Sequence, residues 1–106
     1  MPLLKSPFHK SVYEQNAQVY KLLANPKRLE ILNTIKTHEA TVKDIADALQ
    51  VRMSNVSQHL AILLHLGIVH ARRNGKNVFY RIVDPRIIAP CKILKDLREI
   101  HKLTSY

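Results

Sequence analysis

The hydrophobic periodicity of the chain changes from helical to alternating at Gly67, and this change limits the folds that the sequence can form. Before Gly67, apolar residues recur at the three- to four-residue spacing that is typical of amphipathic helices. After it, two runs rich in β-branched and aromatic residues, 68–73 and 77–83, flank Asn74-Gly75, a preferred pair for a tight hairpin turn. The sequence therefore predicts several helices followed by one two-stranded ribbon of strands β1 and β2.

Start and stop signals divide the helical part of the chain. Ser11 followed by Glu14 predicts a capping box at the start of the first helix, and Asn25-Pro26 predicts the start of the second. Thr41 is the expected cap of a short third helix. Gly67 predicts a left-handed end to the fourth. The expected helices, α1 to α4, cover 11–24, 26–37, 42–49 and 54–66.

A last helix, α5, is expected after Asp84-Pro85, where apolar residues cover a wide face. Pro90 lacks a backbone donor, so it either bends this helix or restarts it. On so small a chain, a face this wide is typical of a helix that pairs with its copy in a second subunit, although packing within the monomer is the alternative. The residues predicted for a dimer interface are Val19, Leu23, Leu94, Leu97, Ile100 and Leu103.

Length and charge narrow the function. The 106 residues fit one domain, expected over 11–106 after a flexible N-terminal arm over 1–10. Lysine and arginine number 17 against eight acidic residues, which gives a net charge of +9. Most of the excess falls in residues 51–106, with ten basic and three acidic side chains. An anionic partner and a contact surface in this second half are therefore predicted.

Several classes of protein do not fit the composition. One cysteine cannot form an internal disulfide, and two glycines leave no glycine-rich phosphate loop. No nucleophile lies near a base at a recognisable spacing, so we expect neither an enzyme nor a cofactor. No apolar run approaches the length of a membrane span. A cytoplasmic protein without a membrane partner is therefore expected.

The predicted helices α3 and α4, with the short turn between them, are typical of a helix-turn-helix unit. Gln50 stands in this turn, where many such units carry glycine. Small and planar polar side chains fill one face of α4 and suit base edges and phosphates in a major groove, whereas an ordinary solvated face would favour Glu and Lys. The residues predicted to bind DNA on this face are Ser54, Asn55, Ser57, Gln58 and His59.

The ribbon after α4 carries a basic hairpin tip. Arg72, Arg73, Lys76 and Arg81 lie around its glycine turn. The first three are predicted to bind the DNA backbone or the minor groove beside α4. A single arginine of this kind is more often a solvated charge at a strand edge. The position of all three next to the recognition helix favours a wing that binds DNA.

Three motifs follow one another along the chain: LANPKRLEIL at 23–32, VSQHL at 56–60, and LGIV at 66–69 continued by RNGK at 73–76. In this order they resemble the ArsR/SmtB family, over about residues 12–103. The resemblance implies a mainly α fold with a small β-hairpin, the winged helix-turn-helix, in the order α1-α2-α3-α4-β1-β2-α5. It also implies a homodimeric repressor, with α1 and α5 at the interface, that binds an inverted-repeat operator in double-stranded DNA and releases it when a small effector binds.

The resemblance does not extend to the metal sites of the family. Metal-sensing members carry a Cys-x-Cys pair in α3, where this chain has Thr41 and Lys43. A second family site begins with Asp-x-His near α5. Its positions here are Asp84, Arg86, Leu97 and Ile100. Because only the aspartate is a ligand, we expect no metal site of the family type.

The inducer therefore stays open. Residues 74–86 resemble the branch of the family that responds to sulfide and persulfide, but that branch relies on two cysteines and this chain has Cys91 alone. Cys91 is a candidate thiol sensor, or a small buried residue on the apolar face of α5. The alternative to a specific repressor is an architectural protein that binds nucleic acid without sequence preference.

Overall fold

A computed structural model describes residues 3–101. Its helices are α1 (Lys10–Leu23), α2 (Pro26–Thr34), α3 (Val42–Leu49), α4 (Met53–His65) and α5 (Ala89–His101), and its strands are β1 (Val69–Asn74) and β2 (Asn77–Ile82). The mainly helical fold, the single hairpin and the predicted order are confirmed. Leu103, predicted for the dimer interface, lies outside the described residues. Within them, no helix is long and apolar enough to cross a membrane.

The hydrophobic core lies where α2, α3 and α4 meet the base of the ribbon. Each fully buried aliphatic side chain there contributes roughly 1.5–3 kcal/mol. Leu64, predicted on the buried stripe of α4, is instead 41% exposed, because it lies about 100° around the helix from its buried neighbour. The fully buried side chains are Ile31, Leu32, Ile35, Ile45, Val56, Leu60, Leu63 and Val69.

The predicted capping box at Ser11 is wrong. Helix α1 begins one residue earlier, at Lys10, which the sequence placed in the N-terminal arm. His9 is the N-cap, because its Nδ1 accepts the backbone N–H of Ser11 at 3.2 Å and so satisfies a free donor of the first turn. A ring nitrogen thus takes the place of the usual capping oxygen.

The other two predicted N-caps are confirmed. Asn25 Oδ1 accepts the backbone N–H of Arg28 at 3.1 Å, with Pro26 in the first turn of α2. Thr41 and Asp44 form a reciprocal capping box at the start of α3, with N–H to oxygen distances of 3.1 and 3.2 Å. These caps fix the starts of two helices through local contacts that the sequence order reveals.

Helix α2 ends at Thr34, three residues earlier than predicted. The side chains of Asn33 and Thr34 donate to carbonyl oxygens four residues back, at 2.8 and 2.7 Å. Such bonds compete with regular helix. In the loop after α2, Ala40 forms an isolated antiparallel bridge with Tyr80 of β2. The two backbone hydrogen bonds of this bridge have nitrogen-to-oxygen distances of 3.0 and 2.8 Å. This bridge ties the α2–α3 loop to the ribbon.

Gly67 ends α4 as predicted. It has φ of +73°, donates to the carbonyl of Leu64 at 3.0 Å, and lets Ile68 donate to the carbonyl of Leu63 at 2.9 Å. The hairpin turn is one residue later than predicted. Asn74 pairs with Asn77, so the turn consists of Gly75 and Lys76, with Gly75 at φ of +64°.

Pro90 begins a helix rather than bending one. A short 3₁₀ turn, Pro85–Ile88, follows the Asp84 cap, and α5 begins at Ala89. Pro90 therefore lies in the first turn of α5, where its missing N–H has no intrahelical partner to lose.

Gln50 adopts the left-handed conformation, with φ of 55° and ψ of 50°, at the end of α3. For a residue with a Cβ this conformation costs about 1–2 kcal/mol, and glycine avoids that strain. Glycine also makes the unfolded chain more flexible, which offsets part of the gain in stability. Gln50→Gly is therefore expected to raise the free energy of unfolding by roughly 0.5–1 kcal/mol in urea denaturation. Gln50→Ala is the matched control and should give no such gain. Equal stability of the two variants would contradict the strain.

Candidate nucleic-acid interface

Helices α3 and α4 form a helix-turn-helix unit. Three residues, 50–52, join them. The N–H of Val51 donates to the carbonyl of Ala46 at 3.1 Å and closes the turn. Ile45, Ala46 and Val56 are buried at the crossing of the two helices, so the angle between them is set by core packing.

The side of α4 opposite the buried stripe is open. Arg52, the N-cap of α4, makes no side-chain cap bond. The first free N–H groups of the helix therefore remain available to water or to an anion. Beyond this end, four of the five α4 residues that the sequence predicted for DNA binding lie exposed on one surface. They are Ser54, Asn55, Ser57 and Gln58.

His59, the fifth, is half-buried and turns toward α2. Arg28 Nε donates to His59 Nδ1 at 3.2 Å, and the same guanidinium donates through Nη1 to the carbonyl of Leu22 at 2.9 Å. Burial, followed by the positive charges of Arg28 and Lys27, lowers the pKa of His59 below 6.5. The ring is therefore neutral at pH 7 and, because Nδ1 accepts, its proton lies on Nε2. Only Nε2–H remains to meet a ligand.

The three basic residues of the ribbon do not act alike. Arg72 donates through Nε, at 3.3 Å, and through Nη2 to the carboxylate of Glu39, and its guanidinium lies 5.0 Å from the centroid of the Phe79 ring. These hydrogen bonds are the largest cause that lowers the pKa of Glu39 and raises that of Arg72. Arg73 and Lys76 lie exposed at the tip of the wing. The structure thus separates Arg72 from the other two.

Sequence reasoning missed Glu39 and Arg28. Arg72 and Glu39 are 33 positions apart, and Arg28 and His59 are 31 apart. No local pattern reports such pairs. The alternation of a strand could have shown that Arg72 and Arg73 face opposite sides of the ribbon.

The apolar face of α5 is exposed in the single chain. Leu94, Leu97 and Ile100 are 48, 37 and 71% exposed, while Leu23 is buried in the core of its own subunit. Val19 is partly buried against the same core. Two further exposed residues that were not predicted for the interface adjoin it, Ile93 of α5 and Tyr20 of α1, which are 54 and 65% exposed.

Cys91 is exposed, so its interpretation as a buried residue is wrong for the single chain. It lies on the rim of an open cavity of about 390 Å³ between α1, α2 and α5. Tyr20, Leu29, Leu94 and Arg98 also line this cavity.

The positions that match the family's metal ligands make structural contacts here. Thr41 caps α3, and Lys43 forms an ion pair with Asp47 at 2.7 Å. Asp84 accepts from the side chain of Arg86 at 2.6 Å and from its backbone N–H at 3.0 Å, and these hydrogen bonds, the side-chain one first, lower the pKa of Asp84 to about 2. Among residues 3–101, no group of three or more His, Cys, Asp or Glu side chains could hold a metal ion.

Comparison with known proteins places the chain in a family. The sequence model of the bacterial regulatory protein arsR family matches residues 25–71. The transcriptional repressor SmtB of Mycobacterium tuberculosis is 32% identical over 83 residues, which are 78% of this chain and 62% of that protein. The transcriptional activator HlyU of Vibrio cholerae is 32% identical over 102 residues, which are 92% of this chain and 94% of HlyU.

A solved structure extends the match to the fold. The homodimeric winged helix-turn-helix DNA-binding domain of Mb0332 from Mycobacterium bovis is 31% identical, with a TM-score of 0.76 over 96% of this chain and 97% of that domain. The chain therefore belongs to the arsR family of bacterial regulatory proteins, a family of DNA-binding winged helix-turn-helix transcriptional regulators that includes the SmtB-type repressors and contains no enzymes.

Proposed function

We propose that this chain is a homodimeric transcriptional repressor that binds an inverted-repeat operator in the cytoplasm and releases it when a small effector binds. The observation that carries the proposal is the exposed polar face of α4, which lies opposite the buried stripe and is followed directly in the chain by a ribbon with a basic tip. The name of the SmtB relative supports repression, whereas the HlyU relative is named an activator. Expression of a reporter gene placed behind the operator, with and without the protein, measures whether the chain represses or activates.

The polar face suits base edges. Gln58 has a planar amide that can make paired hydrogen bonds to adenine, and the hydroxyls of Ser54 and Ser57 can meet bases or phosphates. His59 offers its Nε2–H as a neutral donor, since Nδ1 is occupied by Arg28. The wing tip brings Arg73 and Lys76 to the adjacent backbone or minor groove.

A second copy of the chain is the partner that we propose for the apolar face of α5. Four large apolar side chains of α5 are more than a third exposed, and Tyr20 of α1 extends the patch. Monomeric proteins seldom expose a continuous apolar patch of this kind. The Mb0332 domain, which has the same fold, is described as homodimeric. A two-fold dimer presents two α4 helices and thus requires an operator with two half-sites.

Binding to DNA of defined and random sequence tests the proposed function. A specific dimer should prefer its selected operator over random duplex by about 10³ or more at the same salt. With about 6–10 phosphate contacts, the slope of log K against log salt should lie near −5 to −9. Fluorescence anisotropy titrations at several salt concentrations measure both. Equal affinity for the two duplexes would favour the architectural alternative, and a slope near zero would exclude nucleic acid.

Two substitutions separate base reading from backbone contact. Gln58→Ala should cost about 1–3 kcal/mol on the operator and little on random duplex, because an amide paired with a base specifies sequence. Arg73→Ala should weaken binding to both duplexes alike and make the salt slope shallower by about one per subunit. Both variants are titrated on both duplexes. An equal loss for Gln58→Ala on the two duplexes would contradict base reading.

Replacing Leu97 with Glu tests the dimer. A carboxylate buried in an apolar interface is costly, so Leu97→Glu should shift sedimentation from dimer to monomer while circular dichroism still reports the folded helices. Leu97→Met keeps the apolar volume and should remain dimeric. A wild-type chain that sediments as a stable monomer at micromolar concentration would overturn the proposed assembly.

A further inference from the structure

Glu39 lies beside the wing because of a single backbone contact. The antiparallel bridge between Ala40 and Tyr80 adds a short third segment along the free edge of β2, and this register places Glu39 opposite Arg81 of β2. Side chains of directly opposed residues share one face of a sheet. The carboxylate of Glu39 therefore meets the basic side chains of that face near the base of the wing. Its pKa is lowered first by the hydrogen bond from Arg72 and, further away, by Arg81.

Arg72 is on this face, and Arg73 is on the other. Arg72 pairs with Phe79 and Arg73 with Val78, and successive residues of a strand point to opposite sides. The guanidinium of Arg72 lies over the ring of Phe79 and ends on Glu39, whose neighbour Ala40 is joined to Tyr80. Because the Tyr80 row is nearer the base than the Phe79 row, the side chain of Arg72 leans away from the tip.

We propose that Glu39 is a positioning residue of the DNA-binding wing. By holding Arg72 against the α2–α3 loop, it withholds one cation per subunit from the phosphates and leaves the backbone contact to Arg73 and Lys76 at the tip. This proposal rests on the function proposed above, since it concerns how the wing meets DNA.

The strength of the Arg72–Glu39 ion pair, which depends on its exposure to solvent, determines how strongly Arg72 is held away from phosphates. The side chains of Arg72 and Glu39 are 48 and 35% exposed, and exposed ion pairs are weak. The stacking on Phe79 supports the pair from one side. A phosphate is also a strong ligand for a guanidinium. The carboxylate of Glu39 and the ring of Phe79 thus compete with phosphate for Arg72, and they do so on any duplex, whatever its sequence.

Neutralising Glu39 tests the proposal with random-sequence duplex as the probe. Glu39→Gln keeps the shape of the side chain and frees Arg72. The salt slope of the dimer should become steeper by about two, and affinity at 50 mM salt should rise about tenfold or more. Glu99→Gln is the matched control, because it makes the same change in the α5 ion pair with Lys95 and should leave the slope unchanged.

Repeating the Glu39→Gln substitution in a protein that lacks Arg72 distinguishes the release of Arg72 from the simple loss of a negative charge. In Arg72→Gln protein, the substitution Glu39→Gln should no longer steepen the slope, because no cation remains to be released. Arg72→Gln alone should keep the wild-type slope, in contrast to the shallower slope expected for Arg73→Ala. The slope is the useful readout, since a purely structural role for the pair would change affinity without changing the number of phosphate contacts.

The outcomes are distinct. A steeper slope for Glu39→Gln that requires Arg72 supports the proposal. The same steepening in both backgrounds, an unchanged slope, or weaker binding alone overturns it while leaving the proposed function intact. Wild-type protein that binds no duplex at any salt removes the proposed function and this inference together.

Discussion

The burial of one stripe of α4 determines the rest of the structure. Val56, Leu60 and Leu63 are fully buried against α2, α3 and the ribbon base, so α4 has only one orientation in which it can pack. That orientation turns Ser57 and Gln58 to the solvent. The orientation of the polar face is therefore a consequence of core packing rather than of any contact that the face makes itself.

The wing depends on the same core through its base. Val69 and Ile82 are buried and anchor both strands, while the Ala40–Tyr80 bridge adds a third backbone segment on the other edge of β2. Arg72 and Glu39 form an ion pair between the ribbon and this segment. The chain has a net charge of +9, and one of its eight acidic residues, Glu39, is paired with Arg72 of the wing. Position, rather than the number of cations, thus decides which of them, within residues 3–101, remain unpaired with an acidic side chain at the exposed tip of the ribbon in the proposed DNA-binding wing.

Local sequence signals predicted most of the fold, but they did not predict the contacts between residues that are far apart in the sequence. The caps at Asn25 and Thr41 and the left-handed end at Gly67 involve neighbours in sequence, so their patterns could be recognised. The cap at His9 was missed because a histidine nitrogen replaced the usual oxygen. The α4 face followed from periodicity. The partners of Arg72 and His59 could not, because a contact across 33 or 31 residues depends on how the loops return to the core.

Arg28 connects α1 to α4, the helices that carry part of the proposed dimer face and the proposed DNA face. One guanidinium bonds the Leu22 carbonyl in the last turn of α1 and His59 in the middle of α4. The proposed dimer face begins on α1 and α5, whereas the proposed DNA face is on α4. The two hydrogen bonds of Arg28 therefore link α1 directly to α4. In the proposed dimer this link connects the subunit interface to the DNA face of the same chain, and the spacing of the two half-sites depends on how the interface places the two α4 helices.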